Sequence, residues 1–101
     1  MTRVDAAERQ MVNQAGHPTI RPGFRLQWEA VQNAYVLLYP EGMIKLNTSA
    51  AEILRRCDGL HTIDDIVAEL ETAFQRTGLK DEICLFLEGA VSQGWVLVAP
   101  P

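Results

Sequence analysis

The stretch from Tyr35 to Gly59 constrains the fold of this chain more than any other part of the sequence. It reads YVLLYPEGMIKLNTSAAEILRRCDG. An apolar run leads into a Pro-Glu-Gly turn and a second short apolar run, and this pattern predicts a β-hairpin. A helix start follows at once, and Asp58-Gly59 predicts the helix stop. The stretch therefore predicts two strands joined directly to a helix.

The rest of the chain adds a strand before this stretch and further helices after it. Phe24 to Glu29 alternates apolar and polar residues, which predicts a half-buried strand. Asn47-Thr48-Ser49 can cap the first helix, and Ser49 with Glu52 has the spacing of a capping box. Thr62 with Asp65 offers a second cap, at the start of the second helix.

Apolar residues at helical spacing predict three helices in all. Gly59 ends the first, Gly78 the second, and the third runs from about Asp81 to Gln93. Trp95 to Val98 then predicts a short terminal strand or an extended segment that plugs the core. The predicted core positions of the helices are Ala50, Ile53, Leu54, Cys57, Ile63, Ile66, Val67, Leu70, Phe74, Ile83, Phe86, Leu87, Ala90 and Val91.

This order of elements predicts an α+β fold. A three-stranded antiparallel sheet followed by three helices and a short terminal strand is typical of a winged-helix-like domain. The predicted strand order is a meander with the Phe24 and Met43 strands at its edges. We expect residues 1–20 to form a flexible N-terminal tail, because they lack the periodicity of the rest, and residues 21–101 to form one domain.

Composition and charge exclude several classes of protein. No apolar run approaches the roughly 20 residues that span a bilayer, and the N-terminus lacks a secretory signal, so we expect a cytoplasmic protein with reduced Cys57 and Cys84.

The net charge is −4, divided into +2 for residues 1–57 and −6 for residues 58–101. The predicted third helix, DEICLFLEGAVSQ, has three acids and no Lys or Arg. This charge argues against nucleic acid and leaves open a basic partner or a merely solubilising surface.

The sequence contains no pattern typical of catalysis or metal binding. Cys57 and His61 are the nearest approach to a ligand pair, but a zinc site needs three or four ligands. His17 lies in the predicted tail, so no catalytic triad can be assembled around it. Asp64 and Asp65 are adjacent and therefore diverge around the helix. We expect no enzyme activity, no cofactor and no metal.

Two features favour a peptide-binding module. Met43 to Leu46 is a predicted edge strand, and the unpaired N–H and C=O groups of such a strand can bind an extended peptide. Lys45 fits equally well as a charge that prevents such pairing. The third helix is more apolar than one buried face requires, since Cys84 and Leu85 fall outside its main stripe. A peptide groove, a contact of Leu85 with the Trp95 segment, or a dimer partner would each explain that surplus.

Four segments resemble the PqqD family of pyrroloquinoline quinone (PQQ) biosynthesis proteins. They are PGFRLQWE, LLYPEGMIKLNTSAAEILRRCDG, TIDDIVAEL and the closing GW, and together they span about Arg21 to Val98. The resemblance implies a peptide chaperone of the kind called a recognition element for ribosomally synthesised and post-translationally modified peptides (RiPPs). Such a protein binds the precursor peptide PqqA and presents it to the radical S-adenosylmethionine enzyme PqqE, and it holds no cofactor itself.

The resemblance also implies a binding site. In related recognition elements the peptide adds as a strand to the third strand of the sheet and packs on the third helix. The residues implied for this chain are Met43, Ile44, Lys45, Leu46, Ile83, Leu85, Phe86, Leu87 and Ala90. The alternative is an interaction domain that self-associates through residues 1–20 or a sheet edge, and monomer and weak homodimer both remain open.

Overall fold

The computed structural model describes residues 14–100, in which five strands and three helices are present. The α+β class is confirmed, whereas the winged-helix name stays a prediction. In chain order the elements are β1 (His17–Ile20), β2 (Arg25–Glu29), β3 (Ala34–Tyr39), β4 (Gly42–Lys45), α1 (Thr48–Arg55), α2 (Ile63–Ala73), α3 (Lys80–Ser92) and β5 (Val96–Ala99).

Strands β2, β3 and β4 form the predicted antiparallel meander. The connection between β3 and β4 has two residues, Pro40 and Glu41, because Tyr39 pairs with Gly42. β3 is the central strand, and among residues 14–100 both β2 and β4 are edges of this sheet. Leu37, near the middle of β3, has no exposed area and joins the core.

A second antiparallel sheet lies within residues 17–99, and the sequence pattern does not predict it. β1 pairs with β5, so that Ile20 lies opposite Val96. The Gly59 N–H donates to the Pro18 carbonyl at 2.9 Å on the other side of β1. Pro18 interrupts a strand pattern because it has no N–H, yet its side chain is fully buried. The folded domain therefore begins before residue 21. Residues 1–13 of the predicted tail lie outside the described residues.

Side-chain caps define where α1 and α2 begin. Thr62 and Asp65 form the predicted capping box of α2, with each side chain bound to the backbone N–H of the other. The predicted box at Ser49 is wrong. Asn47 is the N-cap of α1, and its Oδ1 accepts from the Ala50 N–H at 2.8 Å. Because Asn47 satisfies that donor, the helix starts at Thr48 and Ser49 lies inside it.

Helices α2 and α3 both end in the hydrogen-bond pattern of a Schellman motif. In α3 the Trp95 N–H donates to the Ala90 carbonyl at 2.9 Å, and Gly94 supplies the left-handed residue with a φ of +82°. In α2 the same position is Gln75, with a φ of +54°. The helix therefore ends before Gly78, the predicted stop, although a side chain disfavours the left-handed conformation that Gln75 adopts.

The hydrophobic core lies between the inner face of the three-stranded sheet and the three helices. Each helix contributes the apolar stripe that its periodicity predicts, and burial of such side chains is the main stabilising contribution to a domain of this size. The largest side chains with almost no exposed area are Leu37, Leu54, Ile63, Ile66, Leu70, Leu87, Val36 and Val96.

Charged side chains fix the loop between α1 and α2. The His61 ring places Nδ1 at 3.0 Å from the Asp58 carboxylate and Nε2 at 2.8 Å from Glu69, which also binds Arg56. The Asp58 carboxylate accepts from the backbone N–H groups of His61 and Leu60 as well. Bonds from the backbone and ring of His61 hold the pKa of Asp58 well below its usual range, and the bond to Asp58 raises the pKa of His61.

Replacing Gln75 by glycine is expected to stabilise the domain. Glycine adopts the left-handed conformation without the steric cost of a side chain, so Gln75→Gly should raise the free energy of unfolding by roughly 0.5–1 kcal/mol and Tm by several degrees. Thermal and urea unfolding measure both quantities. Gln75→Ala is the matched control and should give no gain, because alanine keeps the Cβ. Equal stability of the glycine and alanine variants would contradict this account of the α2 end.

Replacing His61 by glutamine is expected to destabilise the domain more in acid than in base. The pKa of His61 is raised on folding, so its ionic contribution is fully present below pH about 6.5 and is lost as pH rises through the folded pKa. Urea unfolding should show a loss of about 0.5–1 kcal/mol for His61→Gln at pH 5.5 and a smaller loss at pH 9. If the variant lost the same free energy of unfolding at both pH values, the His61 ring would stabilise the loop by hydrogen bonding and packing and not by its charge.

Candidate functional site

The outer edge of β4 has hydrogen-bonding groups that point away from the sheet. The Leu46 N–H donates to the Tyr35 carbonyl at 3.0 Å. In an antiparallel ladder the residues of one strand alternate between bonding to the partner strand and facing away. Ile44, two residues before Leu46, therefore bonds to β3, and the N–H and C=O groups of Met43 and Lys45 face outward. No strand within residues 14–100 pairs with this edge.

The side chains of the same segment divide between the two faces of the sheet. Ile44 and Leu46 point to the inner face, where Leu46 is buried and Ile44 packs against the core. Met43 and Lys45 lie on the outer face, and Met43 is 52% exposed. Of the four residues implied on this segment, Met43 and Lys45 combine outward backbone groups with accessible side chains.

The residues implied on α3 divide in the same way between core and surface. Ile83, Leu87 and Ala90 are at most 3% exposed and belong to the core. Leu85 is 70% exposed, the largest exposure among the five, and Phe86 is partly buried. The accessible apolar surface among these residues therefore comes from Leu85 and Phe86.

A groove of about 160 Å³ lies beside α3 and starts close to the end of β4. Glu82, Ile83 and Phe86 line it from α3, and Asn47, two residues after β4 in the chain, lines it as well. The structure therefore brings Ile83 and Phe86 into one groove, whereas none of the implied residues of β4 lines it. Its remaining lining residues are Ser49, Ala50, Ile53, Leu70, Phe74, Arg76 and Leu79.

The sequence pattern predicts several of these lining residues as core positions of α1 and α2. Phe74 is the last residue of the apolar stripe of α2, and Leu79 lies just before α3. Neither the spacing of apolar residues nor a capping pattern predicts that these two residues line the same groove as Phe86. Arg76 and Glu82 give the groove one side chain of each charge. Only the packing of three helices brings these residues together.

Residues 14–100 contain no cluster of three or more His, Cys, Asp or Glu side chains placed to hold a metal ion. Both cysteines are free, and burial raises the pKa of Cys57 to about 12 and raises that of Cys84. A protonated thiol is a poor nucleophile. None of α1, α2 and α3 is long and apolar enough to cross a membrane.

Comparison with known proteins identifies relatives of this chain. The family model described as coenzyme PQQ synthesis protein D (PqqD) matches residues 34–96. A protein named PqqA binding protein from Stutzerimonas stutzeri (strain A1501) is 51% identical over 80 residues, which cover 78% of this chain and 87% of the relative. A protein of the same name from Methylococcus capsulatus (strain ATCC 33009 / NCIMB 11132 / Bath) is 46% identical over 77 residues, which cover 76% and 83%.

A solved structure shows the same fold. It is the solution NMR structure of the PqqD truncation of Methylobacterium extorquens PqqCD, described as a functional and stand-alone RiPP recognition element. The TM-score is 0.72 at 25% sequence identity, over 88% of this chain and 97% of that one. Since the family model also matches more than half of its length, the chain belongs to the PqqD family.

Proposed function

We propose that this chain is a chaperone that binds the precursor peptide PqqA and presents it to the radical S-adenosylmethionine enzyme PqqE in the cytoplasm. The chain performs no catalysis in this role. The relatives named PqqA binding protein support the first step, and the family resemblance of the sequence supports the second. The observation that carries the proposal is the outward-facing edge of β4 beside an apolar groove.

PqqA adds to β4 as a further strand of the sheet. The outward N–H and C=O groups of Met43 and Lys45 bond to its backbone, because these two residues face away from β3. These bonds are independent of the peptide's side chains, so they hold its backbone in an extended conformation without choosing its register. Selectivity then comes from the side chains of the peptide, which alternate between the two faces of the extended sheet.

The groove beside α3 accepts apolar side chains of the bound peptide. Phe86 supplies apolar surface inside the groove, and Leu85, which does not line it, adds exposed apolar surface elsewhere on α3. Leu87 and Ala90 have almost no exposed area, so their part is to hold α3 at the correct distance from the rest of the core. Among the α3 residues implied by the resemblance, Leu85 and Phe86 are thus the proposed peptide contacts, whereas Leu87 and Ala90 are the proposed supporting residues.

A binding surface that is formed before the peptide arrives lowers the entropy cost of binding. A short peptide that becomes ordered on binding loses conformational entropy, and this loss offsets part of its interaction energy. An edge and groove that are already formed add no further ordering cost on the protein side. Presentation by the chaperone then raises the effective concentration of the peptide near the enzyme.

Replacing Lys45 by proline tests strand addition directly. Proline removes the outward N–H and leaves the bonds between β3 and β4 intact, and proline is tolerated on edge strands. The loss of one hydrogen bond, worth about 0.5–1.5 kcal/mol, should weaken the Kd for a synthetic PqqA peptide roughly two- to tenfold. Calorimetric titration measures this change, with the fold of the variant checked by circular dichroism.

Two matched variants separate the possible causes. Lys45→Ala removes the charge but keeps the N–H, so its Kd should stay within twofold of the parent. Ile44→Pro removes an inward N–H that bonds to β3 and should lower the stability of the domain. Equal affinities of the Lys45→Pro and Lys45→Ala variants for PqqA would refute strand addition at this edge.

A further inference from the structure

Gly89 is a glycine that the fold itself does not require. It lies in the interior of α3, is exposed, and is not among the residues with positive φ, unlike Gly59 and Gly78. A Cβ built at Gly89 would meet no atom within 4 Å. Alanine is more favourable than glycine inside a helix. Neither backbone conformation nor packing within residues 14–100 therefore explains why this position lacks a side chain.

The position of Gly89 links it to the groove. Residues three, four and seven apart share one face of a helix, so Glu82, Leu85, Phe86 and Gly89 form a continuous surface that we call the α3 strip. Glu82 and Phe86 line the groove, and Leu85 is 70% exposed. From Glu82 to Gly89 the helix rises about 10 Å, roughly the length of three residues of extended chain.

We propose that the bound PqqA peptide leaves the groove along the α3 strip and crosses the helix at Gly89, where its backbone lies directly against the backbone of α3. The absence of a side chain permits this approach, because a Cβ would hold the two backbones apart. Leu85 and Phe86 provide apolar contacts to the same peptide segment. Gly89 is then a contact position of the peptide site, and this inference rests on the proposed function.

The test adds side chains at Gly89 without harming the helix. Gly89→Ala and Gly89→Leu place good helix formers in open space, so both should raise Tm. Titration with a synthetic PqqA peptide should show a Kd about threefold weaker for Gly89→Ala and more than tenfold weaker for Gly89→Leu. Ala68→Leu adds similar bulk to the exposed surface of α2 and should leave the Kd within twofold of the parent.

The possible outcomes separate this inference from the proposal on which it rests. If the parent binds PqqA and the Gly89→Leu variant binds it with the same Kd, the contact at Gly89 is refuted while peptide binding stands. If the parent does not bind PqqA, the proposed function fails and the inference fails with it. If the Gly89 variants bind PqqA normally but lose a dimer in sedimentation, the strip contacts a second copy of the chain and the inference is overturned.

Discussion

The register of β4 against β3 is the constraint on which the proposed site depends. The two-residue connection at Pro40 and Glu41 fixes that register, and burial of Leu46 and partial burial of Ile44 on the inner face reinforce it. A slip of one residue would turn these apolar side chains to solvent. It would also turn the N–H groups that now face outward back toward β3. The same packing that stabilises the sheet therefore determines which backbone groups an incoming strand meets.

The segment before β2 ties the helices to the rest of the domain. The Gly16 and Gln14 carbonyls accept from the N–H groups of Ile63 and Asp64 in the first turn of α2, where no carbonyl of the helix itself is in reach. β1 then pairs with β5, directly after α3. The start of α2 and the segment after α3 are thus held by backbone hydrogen bonds. This arrangement gives α3 a fixed position, which a preformed groove requires.

The sequence predicts the parts of this structure that are encoded locally. Period-two alternation, helical spacing and the capping box at Thr62 each depend on residues close in the chain, and each is confirmed. β1 was missed because Pro18 breaks the strand pattern and its partner strand lies far along the chain. The end of α2 at Ala73 depends on a left-handed residue, Gln75, that is not glycine. The groove joins three helices, so no single segment predicts Phe74 beside Phe86.

The proposed peptide site joins two surfaces, the β4 edge and the α3 strip, which bind one peptide together. Amide chemical shifts of the full chain, recorded during titration with a synthetic PqqA peptide, show whether both surfaces respond. We expect the largest changes at Met43 and Lys45 and along the strip from Glu82 to Gly89. We expect small changes in the loop at Asp58 to His61, which lies outside both surfaces. Saturable changes confined to that loop or to the β1–β5 sheet would refute the joint site.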